Sequence, residues 1–175
     1  MKKILFIVAM LMPMVALAQQ EQVAGVWMSH YVTSNSTAYA FTPSTTSGDN
    51  LVVSFPAAGL CNTYYVGIVS APIKGNVGSS NKVLSSPIGV RLDSGTPFLL
   101  SGKLGLSGGR LVATPVFDSK SAAQQFMLDI FSGSVLETST YLSGTQTPVV
   151  DKFGLNGAAE AIVRSRQLCI SNNTI

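Results

Sequence analysis

The residues best suited to chemistry in this chain are Ser107, the lone His30, a scatter of acids, and the two cysteines Cys61 and Cys169. Ser107 lies in Gly105-Leu106-Ser107-Gly108-Gly109, the G-x-S-x-G spacing of a nucleophile elbow, where a strand-to-helix turn lifts the serine beside an oxyanion hole. Here strand-like residues flank it on both sides, 98–106 before and 110–116 after, so Ser107-Gly108-Gly109 reads as a hairpin turn. A serine triad also needs a base, and His30 precedes the serine, the reverse of the hydrolase order. His30 has no second histidine with which to hold zinc, and Cys61 and Cys169 could join it only if they were not bonded to each other. Asp93, Asp118, Asp129, Glu137, Asp151 and Glu160 each read as lying beside a turn, a cap or a solvated helix face. Two of them could meet in the fold as a glycosidase pair, but no spacing selects which. Gly102-Lys103 lacks the remainder of a phosphate loop. No catalytic residue, metal ligand or cofactor is assigned, and the chain is expected not to be an enzyme.

The compartment follows from the first residues. Lys2 and Lys3, an uncharged apolar run over 4–17 and the small-x-small end Val15-Ala16-Leu17-Ala18 read as a bacterial signal peptide over 1–18. The apolar run is shorter than the roughly 20 residues of a membrane span, so no stable membrane insertion is expected after cleavage. The expected product is one exported domain over 19–175, periplasmic or secreted. Without Lys2 and Lys3 it carries nine basic and eight acidic residues, and no basic stripe, so nucleic acid is excluded as a natural partner. In an oxidising compartment Cys61 and Cys169 read as a disulfide. It would close a loop of more than 100 residues.

The elements that must position these groups read as an α+β domain: β-rich, with an antiparallel sheet and two helices in the C-terminal half. Strands are expected over 23–32, 38–41, 51–55, 61–69, 88–93, 98–106, 110–116, 135–142 and 149–155, from β-branched and aromatic content, alternation and flanking turn residues. Residues 72–87 and 144–148 read as loop and turn. Asp118 or Ser119 can cap a helix ending near Ser132, with Ala122, Phe126, Ile130 and Ala123, Met127, Phe131 on one apolar face and Gly133 ending it. A last helix is expected from Gly157, capped by Asn156, to Cys169, with Ala158, Ala161, Ile162, Ser165, Leu168 and Cys169 turned inward. Trp27, Tyr31, Tyr64 and Tyr65 concentrate aromatic surface in the first half; they form a candidate binding face, or alternatively they are core. Asn35-Ser36-Thr37 and Asn172-Asn173-Thr174 match a glycosylation sequon, which a bacterial leader makes irrelevant.

The early Trp27, Cys61, and Phe153-x-Leu155-x-Gly157 leading to Cys169 resemble small periplasmic accessory proteins associated with type VI secretion. Ser86-Pro87-Ile88-Gly89-Val90 with Phe153-x-Leu155-x-Gly157 resembles the invasion-associated locus B family. The resemblance implies a β-rich, disulfide-tied, non-enzymatic domain and transfers no functional residue. The expected function is binding of another envelope or secreted protein, as accessory factor or inhibitor. The alternatives are a structural subunit of a pilus or surface fibre, and a periplasmic hydrolase.

Overall fold

The computed structural model describes residues 22–24, 26–72, 83–140 and 148–173. The leader over 1–18, the start at Gln19, most of the loop over 72–87 and the turn over 144–147 lie outside the described residues.

Among the described residues, eleven strands and two α-helices follow in order: β1 Gln22–Ala24, β2 Trp27–Val32, β3 Thr37–Pro43, β4 Asn50–Pro56, β5 Tyr65–Val69, β6 Leu84–Ser85, β7 Ile88–Leu92, β8 Phe98–Ser107, β9 Arg110–Val116, α1 Lys120–Ser132, β10 Val135–Thr140, β11 Val149–Gly154 and α2 Ala158–Asn173. The fold is therefore α+β and β-rich, with both helices in the C-terminal half. The strands form one antiparallel sheet in the order β1-β2-β3-β4-β5-β9-β8-β7-β10-β11, with β6 added alongside β8.

The first expected strand divides in two. Val23 and Ala24 pair antiparallel with Met28 and Trp27, so the segment forms two strands, β1 and β2, instead of one. The strand expected over 61–69 begins only at Tyr65; Cys61 sits in the turn before it, at φ 58°. α2 starts at Ala158, one residue later than expected, and the Gly157 carbonyl accepts its first helical bond from Ala161 N at 3.1 Å. The caps of α1 are nearer to expectation. Ser119 Oγ accepts from Ala122 N at 3.1 Å, and Gly133 follows the last turn with extended backbone.

Glycine is demanded at three positions, two by backbone conformation and one by close approach. Gly108 and Gly109 have φ 57° and 73° between Ser107 and Arg110, the two-residue turn with positive φ at both centres that matches strand twist. This is where the G-x-S-x-G match lies, on a hairpin. Gly102 marks the bend of β8, whose residues 98–100 pair with β7 while residues 101–107 pair with β9. A Cβ on Gly102 would come within 2.5 Å of Ser86 O and 2.7 Å of Ile88 Cδ1, so no side chain fits there.

Beyond this bend the sheet curls back on itself. Ser44, just past β3, bridges Phe153 of β11, and Thr45 N donates to Lys152 O at 2.8 Å. Trp27 Nε1 donates to Gly154 O at 2.8 Å, tying β2 to the same last strand. The concave side holds the core: Trp27, Tyr31, Leu51, Val53, Phe55, Ile68, Val90, Leu136 and Phe153, closed by Phe126, Met127 and Ile130 of α1. α2 lies across β1 to β4. Small side chains permit its close approach: Ala38 and Ala40 on β3, and Ala158, Ala161 and Ser165 on the helix, are all buried. Ser165 Oγ donates to Tyr39 O at 2.8 Å. On the outer side Glu137 of β10 takes Arg91 Nη2 at 2.7 Å and Lys152 Nζ at 3.3 Å. The Arg91 guanidinium holds its carboxyl below the usual range.

Candidate functional site: an apolar groove between the helices

The last turns of α1 and the middle of α2 converge without meeting flush. Between them runs a groove of about 520 Å³, floored by Phe55, Met127 and Ile162 and walled by Leu128, Phe131 and Val163. Leu128 and Val163 are 56% and 63% exposed, although each sits on an otherwise packed helix. The helical periods explain them. Phe126, Met127 and Ile130 point into the core, and Leu128 lies on the flank turned toward α2. Val163 follows buried Ile162 and faces back.

One end of the groove is polar and rigidly held. Cys61 and Cys169 are joined, with Cα atoms 5.8 Å apart and 108 residues between them in sequence. Arg166 Nη2 donates to Asn62 Oδ1 at 2.8 Å, and its Nε donates to Cys61 O at 3.3 Å. Tyr64 Oη donates to Ala123 O at 3.1 Å and its ring packs on Phe55, so the turn after Cys61 is anchored to both helices. Burial pushes the Tyr64 hydroxyl up, which keeps it a donor. The lining contains the cation Arg166 and no acid.

The four aromatics of the candidate face are not brought together. Trp27 and Tyr31 are core residues, 0% and 5% exposed, because alternation along β2 turns both toward α2. Tyr64 lines the groove, and Tyr65, its neighbour in the strand, is exposed on the opposite side of the sheet. Tyr65, Tyr39, Ser107 and Arg110 border a smaller hollow of about 300 Å³ on that outer face. His30 lies half-buried opposite Tyr39 in register. With the cysteines bonded to each other, no group of three or more histidine, cysteine or acidic side chains is placed to hold a metal among the described residues. Among those residues also, no helix is long and apolar enough to cross a membrane.

The acids hold one correction. Asp151 is not beside a solvated surface but fully buried, because β11 turns Asp151 and Phe153 inward and Val150 and Lys152 outward. Ser47 Oγ donates to Asp151 Oδ1 and accepts from Asp49 N at 3.0 Å. Asp49 is buried too, and its Oδ1 accepts from Ala71 N at 3.1 Å. Desolvation, opposed by the Ala71 bond and reinforced by the Asp151 charge, pushes the Asp49 carboxyl up. Its contribution to stability is therefore full below the unfolded aspartate range and is lost as pH rises through the folded value. Asp49→Asn, which keeps an acceptor for Ala71 N, should remove that loss. Urea unfolding in chelator from pH 3.5 to 7 checks it: equal pH slopes for variant and wild type would count against the assignment.

No protein-family model, curated protein or solved structure matches this chain.

Proposed function

We propose that this is an exported, non-catalytic protein that binds another protein of the bacterial envelope or secreted fraction, and that the α1–α2 groove receives it. The observation that carries the reading is the pairing of exposed Leu128 and Val163 across an apolar trough whose end is stapled by Cys61–Cys169. Exposed aliphatics gathered on a braced surface favour a partner over solvent. The occupant that fits is an amphipathic helix laid along the trough, its apolar stripe on Leu128, Phe131 and Val163 and an acidic flank toward Arg166. Preorganisation by the disulfide and the Tyr64 and Arg166 bonds lowers the ordering cost on binding.

Two further observations support binding over the alternatives. Ser107 stands on a hairpin, and the Asp49–Asp151 pair is enclosed, so neither presents an open hydrolytic centre. The free edges at the two ends of the strand order are limited: β1 has three residues, and β11 is met by residues 44–46. That leaves little for strand-to-strand assembly into a fibre.

The test is capture from the producer's envelope and secreted fractions with oxidised protein, read by mass spectrometry, beside Leu128→Asp and Val163→Asp. A stoichiometric partner retained by wild type and lost, at least tenfold, by both folded variants is the expected result. Equal capture by the variants moves the site off the groove. A blank with wild type sinks the protein-binding reading.

A further inference from the structure

The outer face of the sheet carries a second concavity with a different lining. Tyr39, Ser54 and Tyr65 stand in one register row across β3, β4 and β5, and Val52 and Gly67 belong to the next. Val69 then pairs with Val112 of β9, and Ser107 with Arg110 beside the hairpin turn. Rows two residues apart share a face of the sheet, so these groups open on one hollow of about 300 Å³. Neighbouring strands lie about 4.8 Å apart, which sets the roots of Tyr39 and Tyr65 roughly 10 Å from each other. The hollow exists because Gly67, between Tyr65 and Val69 on β5, has no side chain. Its φ is not in the left-handed region, and a Cβ there would rest 3.5 Å from Val112 Cγ1, an ordinary contact. Neither backbone conformation nor close approach requires glycine at this position.

The floor and the rim differ in chemistry. Val52, Val69 and Val112 are apolar, and Tyr65 stands 56% exposed beside them. Around them the Ser54, Ser107 and Thr114 hydroxyls have no protein partner among the described residues. Asn35 Nδ2 donates to Tyr39 Oη at 2.7 Å, which holds that phenol and leaves it a proton to give. Arg110 Nη1 donates to Ser70 O at 3.1 Å, and none of the ion pairs among the described residues involves this guanidinium. The lining contains Arg110 and no acid.

A sugar ring has an apolar C–H face that packs on aromatic or aliphatic walls, and a rim of hydroxyls that both donate and accept. Serine, threonine and tyrosine hydroxyls complement such a rim because they also do both. A wholly apolar ligand would strip water from these hydroxyls and from the guanidinium without replacing its hydrogen bonds. A single arginine matches one carboxylate through a bidentate pair. We propose that the hollow around Gly67 binds an acidic saccharide, with one sugar ring seated over Gly67 against Tyr65 and its carboxylate on Arg110. Ser54, Ser107 and Thr114 supply the hydroxyl contacts, and Tyr39 closes the far wall. The site lies on the opposite side of the sheet from the α1–α2 groove and does not depend on it.

Calorimetric titration of the oxidised protein with acidic and neutral disaccharides tests this. Digalacturonate carries the carboxylate on the ring, N-acetylglucosaminyl-N-acetylmuramic acid carries it on an ether arm, and diacetylchitobiose lacks it. Saturable binding of an acidic disaccharide, tighter than the neutral one by about tenfold or more, is the expected result. Which acid binds identifies the source of the carboxylate. Arg110→Gln should bring the acid down to the neutral sugar, and Tyr65→Ala should weaken both several-fold. Gly67→Val should abolish binding while the melting temperature stays level or rises, because valine suits a strand better than glycine. A glycine kept for packing alone would give the reverse, a lower melting temperature. Leu128→Asp should bind sugar as wild type does. Should Gly67→Val fail to fold, Arg110→Gln and Tyr65→Ala, the latter at an exposed position, decide. The proposal is overturned by no saturable binding of either acid at tens of millimolar, by equal affinity for diacetylchitobiose, or by unchanged binding in Arg110→Gln and Tyr65→Ala.

Discussion

Serine at Cys61 or Cys169 should lower the stability of the oxidised protein by about 4–5 kcal/mol, the chain-entropy value for a closed loop of this size. For a domain of this length that corresponds to a fall in melting temperature of roughly 10–20 °C. The bond spans 108 residues, so it restricts most of the unfolded chain, and it joins two buried sites that no strand pairing connects. Cys169 lies on the α2 face that packs against the sheet, and Cys61 lies in the turn that carries Asn62 and Tyr64 to the groove. The loss should therefore be both global and local: the Arg166–Asn62 bond loses its frame, and partner capture should weaken even below the melting temperature. Thermal melts with and without reductant make the comparison. Reductant should bring wild type down to the variants and leave the variants where they are; melting temperatures that coincide without reductant would refute the staple.

The second large effect is expected at Trp27. It is the largest side chain with no exposure, and it links β2 to the end of β11 through Gly154 O. Trp27→Ala should cost about 3–5 kcal/mol through lost burial and the cavity left behind. Trp27→Phe keeps most of the apolar volume but strands the Gly154 carbonyl, and should cost about 1–3 kcal/mol. Urea unfolding measures both. The same two variants separate the readings of this residue: loss of stability with capture intact marks a core tryptophan, whereas loss of capture at full stability would return it to a binding face.

Much of the architecture was legible because local chemistry and tertiary need agree. The alternation in Ile88-Gly89-Val90-Arg91-Leu92, the glycine pair between β8 and β9, and Ser119 ahead of an apolar helical face each specify an element without help from distant residues. Misreadings occurred where partners rather than propensity decide. The sequence between Ala24 and Trp27 carries only one glycine as a turn signal, so the segment over 23–32 reads as continuous until β2 is seen to pair back on β1. Tyr64 and Tyr65 continue the β-like run from Cys61, yet pairing with β4 begins only at Tyr65.

The candidate groove was much less legible. Leu128, Val163 and Arg166 carry no motif, and each becomes meaningful only when two helices separated by 25 residues of sequence are set side by side. A signal for Asp151 was present: it shares a period-two face with Phe153, so a strand with Phe153 inward must bury Asp151. Asp49 gave no such sign, since Gly48-Asp49 is ordinary turn chemistry.

By itself the sequence determined the α+β class, the order of nearly all strands and both helices, the hairpin that disarms the G-x-S-x-G match, and the only possible cysteine pairing. These follow from residue type and periodicity, which act over a few residues. The tertiary structure alone decided which faces meet: the bend at Gly102, the closure of β11 on residues 44–46, the burial of Trp27 and Tyr31, the groove beside the disulfide, and the enclosure of Asp49 with Asp151. Those outcomes depend on packing between segments far apart in the chain, where the free energy of burial and the exclusion of water are set by neighbours that no local pattern names.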